Sequence, residues 1–250
     1  MKKAPKVKRF KKRWIIILLF VFVIGVSYYK SYALYQFYSK FYVIYLLKYS
    51  IEDIIKIINE KVEIGDAKDL QIFVNRALRA YPNNYQIMKH ASNALFKLGA
   101  VERGIALALL AYEHVDITTA ELYNLIQLLY ERENYSDIIA VMRNHAQLKD
   151  SRIAGMLGIA LYFNGNYEEA ISELEQSLPT NDIERLFFLA MSCIKTGKDL
   201  KAVTYLERAY MLDKTNKRII SELVALYGRI GQSGKASKLI DTLSWRSRGN

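Results

Sequence analysis

The sequence predicts an all-α protein: an N-terminal transmembrane helix followed by about six helix–turn–helix repeats. Three observations carry this expectation. Of 250 residues, 52% are hydrophobic, with only 3 Pro and 12 Gly, a balance that suits a helical chain with a sizeable core rather than a disordered one. An unbroken apolar run, WIIILLFVFVIGVSYY, fills residues 14–29 behind a cluster of basic residues. From residue 51 to residue 243 the chain resembles itself at a spacing near 34 residues.

The first element is the basic tail, residues 1–13, with Lys2, Lys3, Lys6, Lys8, Arg9, Lys11, Lys12 and Arg13. The formal net charge of +11 lies entirely within residues 1–50, which hold 11 Lys or Arg and no acid; the remaining 200 residues hold 25 of each sign. A neutral remainder argues against a phosphate-binding domain and against nucleic acid as a partner. The apolar run is slightly short of the ~20 residues that cross a bilayer. Lys30 can snorkel, and Trp14 and the following tyrosines suit the two interfaces, so the span is placed at residues 14–32. The basic tail then stays in the cytoplasm, and residues 30–250 lie outside it, in the periplasm of a bacterium. A cleaved signal peptide is the rival, with Ser31-Tyr32-Ala33 as its nearest cleavage site.

Residues 33–50 follow as a tyrosine-rich stalk helix. Tyr28, Tyr35, Tyr42 and Tyr49 repeat at seven, and Tyr38 and Tyr45 form a second seven-spaced pair. Packing against the first repeat is one use of these rings. A face for a partner or a second copy, formed by Tyr35, Tyr38, Tyr42, Tyr45 and Tyr49, is the other.

The repeats span residues 51–244, with starts near Ile51, Tyr85, Thr119, Ser151, Ile183 and Lys217; residues 245–250 are a tail. In residues 151–178, small or apolar residues stand at Ala154, Leu157, Gly158 and Leu161. A turn follows at Asn164-Gly165-Asn166, and a second amphipathic run places Ala170, Leu174 and Ser177 on one face. The turn position reads Gly65, Gly99, Glu133, Gly165, Gly197 and Gly231 across the six units, as a turn needing positive φ favours. The small residue opening the second helix reads Leu70, Gly104, Ile138, Ala170, Ala202 and Ala236. The later small position reads Ala77, Ala111, His145, Ser177, Ala209 and Leu243.

These positions resemble the tetratricopeptide repeat, whose pattern runs W-x2-L-G-x2-Y, then A-x3-F, then Pro; Pro82 stands where such repeats often place it. The likeness is closest in repeats four and five and most degenerate in repeat three. The resemblance implies a right-handed superhelix with a concave groove lined by the first helix of each pair. It would place Lys89, Asn93, Phe96, Tyr123, Gln127, Tyr130, Arg152, Tyr162 and Phe187 in that groove. It also suggests a comparison with the carboxylate clamp of one subfamily, where Lys89, Asn93, Asn124 and Arg152 fall at four of five positions and Met156 replaces the fifth, an Arg. A mixed groove of this kind suits a peptide with an acidic end and apolar side chains.

Other chemistry finds little support. His90, His114 and His145 fall in different repeats without metal-ligand spacing. No phosphate loop or nucleophile motif is present, and Cys193 sits at an apolar helical position. The expectation is a non-enzyme without metal or cofactor. It is a membrane-anchored scaffold or adaptor with protein partners in an envelope complex, such as a flagellar-motor collar or a translocation-channel accessory factor. An organelle import receptor with a cytosolic groove and a regulatory subunit of an envelope enzyme are the alternatives.

Overall fold

The computed structural model describes Lys30, Tyr42, Tyr45, Leu46, residues 48–65 and residues 67–248, with side chains as far as Asp241. The expected span at residues 14–32, Lys30 apart, and the greater part of the expected stalk lie outside these residues. Among the described residues no helix is long and apolar enough to cross a membrane.

The described chain is a helical repeat of twelve α-helices with no strand. The helices are α1 (Ile51–Ile64), α2 (Ala67–Ala80), α3 (Tyr85–Lys97), α4 (Val101–Tyr112), α5 (Thr119–Glu131) and α6 (Tyr135–Asn144). There follow α7 (Ser151–Phe163), α8 (Tyr167–Gln176), α9 (Ile183–Lys195), α10 (Asp199–Leu212), α11 (Lys217–Arg229) and α12 (Ser233–Arg248), with a 3-10 turn at Ala146–Leu148. The last helix runs on to Arg248, past the end at residue 244 read from the sequence; residues 244–248, SWRSR, contain neither Gly nor Pro to stop it.

Local chemistry sets the pairs. Each odd-numbered helix is capped by a side chain that accepts hydrogen bonds from the first-turn amides: Ser50, Asn84, Thr118, Asp150, Asp182 and Asn216. At Ser50 and Thr118 the box is complete, since Asp53 and Glu121 accept in return from the cap amides at 3.2 and 2.9 Å. Five of the six intra-pair turns carry Gly with φ between 73° and 84°. Past four of those glycines an amide reaches back five residues, as from Asn166 to the Leu161 carbonyl at 2.9 Å, closing the helix end.

The chain divides into two compact units, one through Leu107 and the other from Ala108. In the first, α1 packs on α2 and α3, with Ile54, Ile58, Leu70, Val74, Ala77, Ala91 and Leu95 in the core. In the second, α7 packs on α8 and α9, α9 on α10, and α11 on α10 and α12. Small residues let these helices approach. A Cβ at Gly158 would lie 2.5 Å from Leu174, and Ala170, Ala202 and Ala209 are fully buried. Ion pairs and hydrogen bonds tie successive pairs of the second unit together. Lys198 meets Glu168, and Glu175 takes Tyr205 at 2.8 Å and Lys201 at 3.2 Å. Glu207 takes Tyr227 at 2.6 Å and Lys235 at 3.1 Å, and Arg229 meets Asp199 at 2.6 Å.

Candidate functional site

The residues named from the sequence divide between the units. In the first unit, Lys89, Asn93 and Phe96 stand on α3. Lys89 and Asn93 are half-buried. The Phe96 ring lies where a Cβ on Gly104 of α4 would come within 2.5 Å, so it serves the α3–α4 packing rather than an open groove.

The tyrosine face is also largely absorbed by the first unit. Leu46 is 1% exposed in its core, and Tyr42 and Tyr49 pack against that core. The Arg76 guanidinium stacks 3.8 Å from the Tyr42 ring centroid, and the Tyr81 hydroxyl donates to the Tyr49 carbonyl at 3.1 Å. Tyr45, 46% exposed, keeps its hydroxyl 2.6 Å from that of Tyr49. The hydrogen bond to Tyr45, with some desolvation, raises the Tyr49 hydroxyl. Lys48 and Tyr49 form a turn, so the stalk does not run as helix to residue 50. Tyr35 and Tyr38 lie outside the described residues.

In the second unit, Arg152 and Tyr123 come together, the guanidinium 4.4 Å from the ring centroid. The same guanidinium grips Asp150 through Nε and Nη2, at 3.0 and 2.6 Å. Partial burial works to raise the Asp150 carboxyl. The bonds from Arg152 and from the Ile153 and Arg152 amides outweigh it and hold the group below the usual range. Arg152 is thus occupied within its own helix cap, which weakens the clamp comparison. Met156, at the fifth clamp position, is buried. Asn124 and Gln127 are exposed, and Gln127 donates to Glu131 at 3.1 Å. Phe187 is only 4% exposed, covered by the Arg218 guanidinium 4.1 Å from its ring centroid. It is a shelf beneath Arg218 rather than an open groove wall.

Around Phe187 lies a continuous aromatic surface that brings together Tyr130, Tyr162 and Phe187, named from the sequence, with Tyr135, Phe163 and Phe188, which position counting along the first helices did not find. Tyr130 meets Tyr135 edge-on at 6.2 Å; Tyr135 stacks on Phe163 at 4.5 Å with planes 4° apart. Phe163 and Tyr162 lie 5.1 and 5.0 Å from Phe188, which adjoins Phe187 at 5.6 Å. Phe163 remains 51% exposed. It ends α7 and Tyr135 opens α6, so neither stands at the groove positions counted in the sequence. The doublets Tyr162-Phe163 and Phe187-Phe188 were the available signal.

The hydroxyls on this surface are protonated at neutral pH. Burial, with the charge of Glu184 and a hydrogen bond to it, pushes Tyr130 well above its ordinary value. Burial and the charges of Glu133 and Glu184 raise Tyr135. Burial and neighbouring Tyr167 raise Tyr162, against a lowering effect of Arg218.

His114 and His145 line a cavity of about 540 Å³ between the loops that follow α4 and α6, with Glu113, Asp116, Asn144 and Gln147. Among the described residues no three His, Cys, Asp or Glu side chains are placed to hold a metal ion. Burial pushes the Cys193 thiol up to about 11, so it is a packing group rather than a nucleophile.

Comparison with known proteins agrees with this fold. Residues 183–216, comprising α9, α10 and the loop that follows, match the family model of the tetratricopeptide repeat. The chain is similar in fold to the crystal structure of YrrB, a TPR protein with an unusual peptide-binding site. The TM-score is 0.55 at 13% identity, over 72% of this chain and 96% of that one. Weaker likenesses are to the C-terminal part of a TPR repeat-containing protein of Cytophaga hutchinsonii and to pilF of Pseudomonas aeruginosa. The first has a TM-score of 0.49 at 13% identity, over 76% of this chain and 77% of that one. The second has a TM-score of 0.47 at 16% identity, over 80% and 92%. No curated protein matches the chain. The chain therefore carries a TPR-like helical repeat, a fold suited to protein–protein interaction.

Proposed function

We propose that this chain is a non-catalytic scaffold that docks another protein on the aromatic surface of its second unit. The exposed Phe163 ring, stacked on Tyr135 and backed by Tyr162 and Phe188, is the observation that carries the reading. Large rings held rigidly by one another lose little entropy on binding and bring much apolar area to an interface. Peptide binding by YrrB, a protein of similar fold, is a precedent for this use of helical repeats.

The basic residues 1–13 and the apolar run after them support a second part of the reading. The chain is anchored in a membrane near residues 14–32, with its N-terminus in the cytoplasm and its repeats outside, in an envelope complex. A role in a motor collar or as a translocation-channel accessory belongs to this reading.

The test of docking is co-precipitation from the native source with Phe163→Ala and Phe163→Glu. The ring is half exposed, so each variant is first checked for native helicity and thermal unfolding. Loss of the same specific partners from both variants is expected; an unchanged partner set would remove the aromatic surface as the docking site. Protease accessibility in intact cells and spheroplasts tests the side: repeats digested only after the outer barrier is opened agree with the anchor, and repeats protected in both oppose it.

A further inference from the structure

The aromatic surface carries one cation whose situation differs from its neighbours'. In the second unit Arg152, Arg185 and Arg229 each hold a carboxylate, Asp150, Asp182 and Asp199 respectively. Arg218 is exposed, and its guanidinium makes no ion pair among the described residues. It lies 4.1 Å from the Phe187 ring centroid and 5.6 Å from that of Phe188. Contact with the Phe187 ring restrains the guanidinium, and a planar fork that is exposed and makes no ion pair is suited to a carboxylate. The protonated Tyr135 and Tyr162 hydroxyls lie on the same surface.

The second anchor stands close by. Phe163 and Arg218 both lie against the single ring of Phe188, at 5.1 and 5.6 Å from its centroid. The two distances place Phe163 and Arg218 no more than about 11 Å apart, and an extended chain advances about 3.3 Å per residue, so side chains two or three positions apart fall within that bound. We propose that this shelf takes an extended segment of the partner in which one carboxylate and one aromatic side chain stand two or three residues apart. The carboxylate sits on Arg218 and the ring against Phe163. Glu184 and Glu222 border the surface, close enough to Tyr130 and Tyr162 to raise their hydroxyls. They would repel a run of acids, so the segment carries a single acid in an otherwise uncharged stretch. The proposal rests on the docking reading above and adds the chemistry of what docks.

The test uses an array of 12-residue peptides, acetylated and amidated so that no free terminus contributes a carboxylate, probed with the full chain. Affinities of the best peptides are then measured for the wild type, Arg218→Gln, Arg152→Gln and Phe163→Ala, each checked for native helicity. Enrichment of an acid two or three residues from an aromatic is expected. Arg218→Gln should weaken binding roughly tenfold or more, as should an amide replacing the peptide's acid, and the two changes together should cost little beyond either one. Arg152→Gln should bind as the wild type does. Peptides enriched without an acid, or bound equally by Arg218→Gln yet lost by Phe163→Ala, would overturn the proposal and leave the docking surface standing. Binding indifferent to Phe163→Ala would overturn both. An array with no enriched sequence would also overturn the proposal.

Discussion

At Glu133 the backbone holds φ at 57°, where the other five turns between paired helices place Gly. A side chain in that region is strained, so Glu133→Gly removes strain while adding some chain entropy to the unfolded state. We expect a net gain of about 0.5 kcal/mol in denaturant unfolding; the matching change Gly165→Ala, at φ 84°, should lose about 1 kcal/mol. Cys193 gives a second test at this scale. Its buried thiol, pushed up to about 11, remains protonated at pH 8, and it should react with a thiol reagent only on unfolding. Rapid modification of the native protein would contradict its packing role. Other single residues misled the reading of the groove. Arg152 and Phe187 stand at groove positions in the sequence, yet one is held by Asp150 two residues earlier and the other is covered by Arg218 thirty-one residues later. Position along a helix gives the face of a side chain and not its neighbours, so these contacts were hidden.

At the scale of the element, helix pairs were legible because their punctuation is chemical. Asp or Asn before an apolar run, Gly after it, and Ala or Gly where helices meet each answer a local physical need. Asp182→Ala, which removes the α9 cap, should cost about 1 kcal/mol. Gly158→Ala should cost about 1–3 kcal/mol, since its Cβ would press on the Leu174 side chain and backbone. The third repeat was less legible. There α6 ends at Asn144, His145 leads into a 3-10 turn, and the small residue that closes other pairs is missing. The ties between pairs are pH-sensitive. Hydrogen bonds from Tyr227 and Lys235 outweigh desolvation and hold Glu207 below its ordinary range. A depressed carboxyl stabilises the fold above its unfolded value, near pH 4.3, and that contribution is lost as pH falls through the lower folded value. Glu207→Gln should flatten the acid limb of stability against pH, measured by thermal unfolding between about pH 3 and 6.

For the whole molecule, charge is segregated: the first 50 residues hold the entire excess of +11. That placement, with the apolar run at residues 14–29, predicts that the full chain stays with membranes through high salt and alkaline carbonate, conditions that strip proteins held by charge alone. The aromatic surface was only half visible in the sequence, because Tyr135 at the start of α6 and Phe163 at the end of α7 join Phe188 within α9 over more than fifty residues of chain. Leu200, 73% exposed at the start of α10, supplies an internal comparison, being another apolar side chain open to solvent in the same unit. A photo-crosslinking amino acid placed at position 163 or at position 200 of the full chain, irradiated in the native source, therefore tests the central claim most directly. A discrete partner adduct from position 163, absent from position 200, is the predicted result; adducts from position 200 with none from position 163 would contradict it.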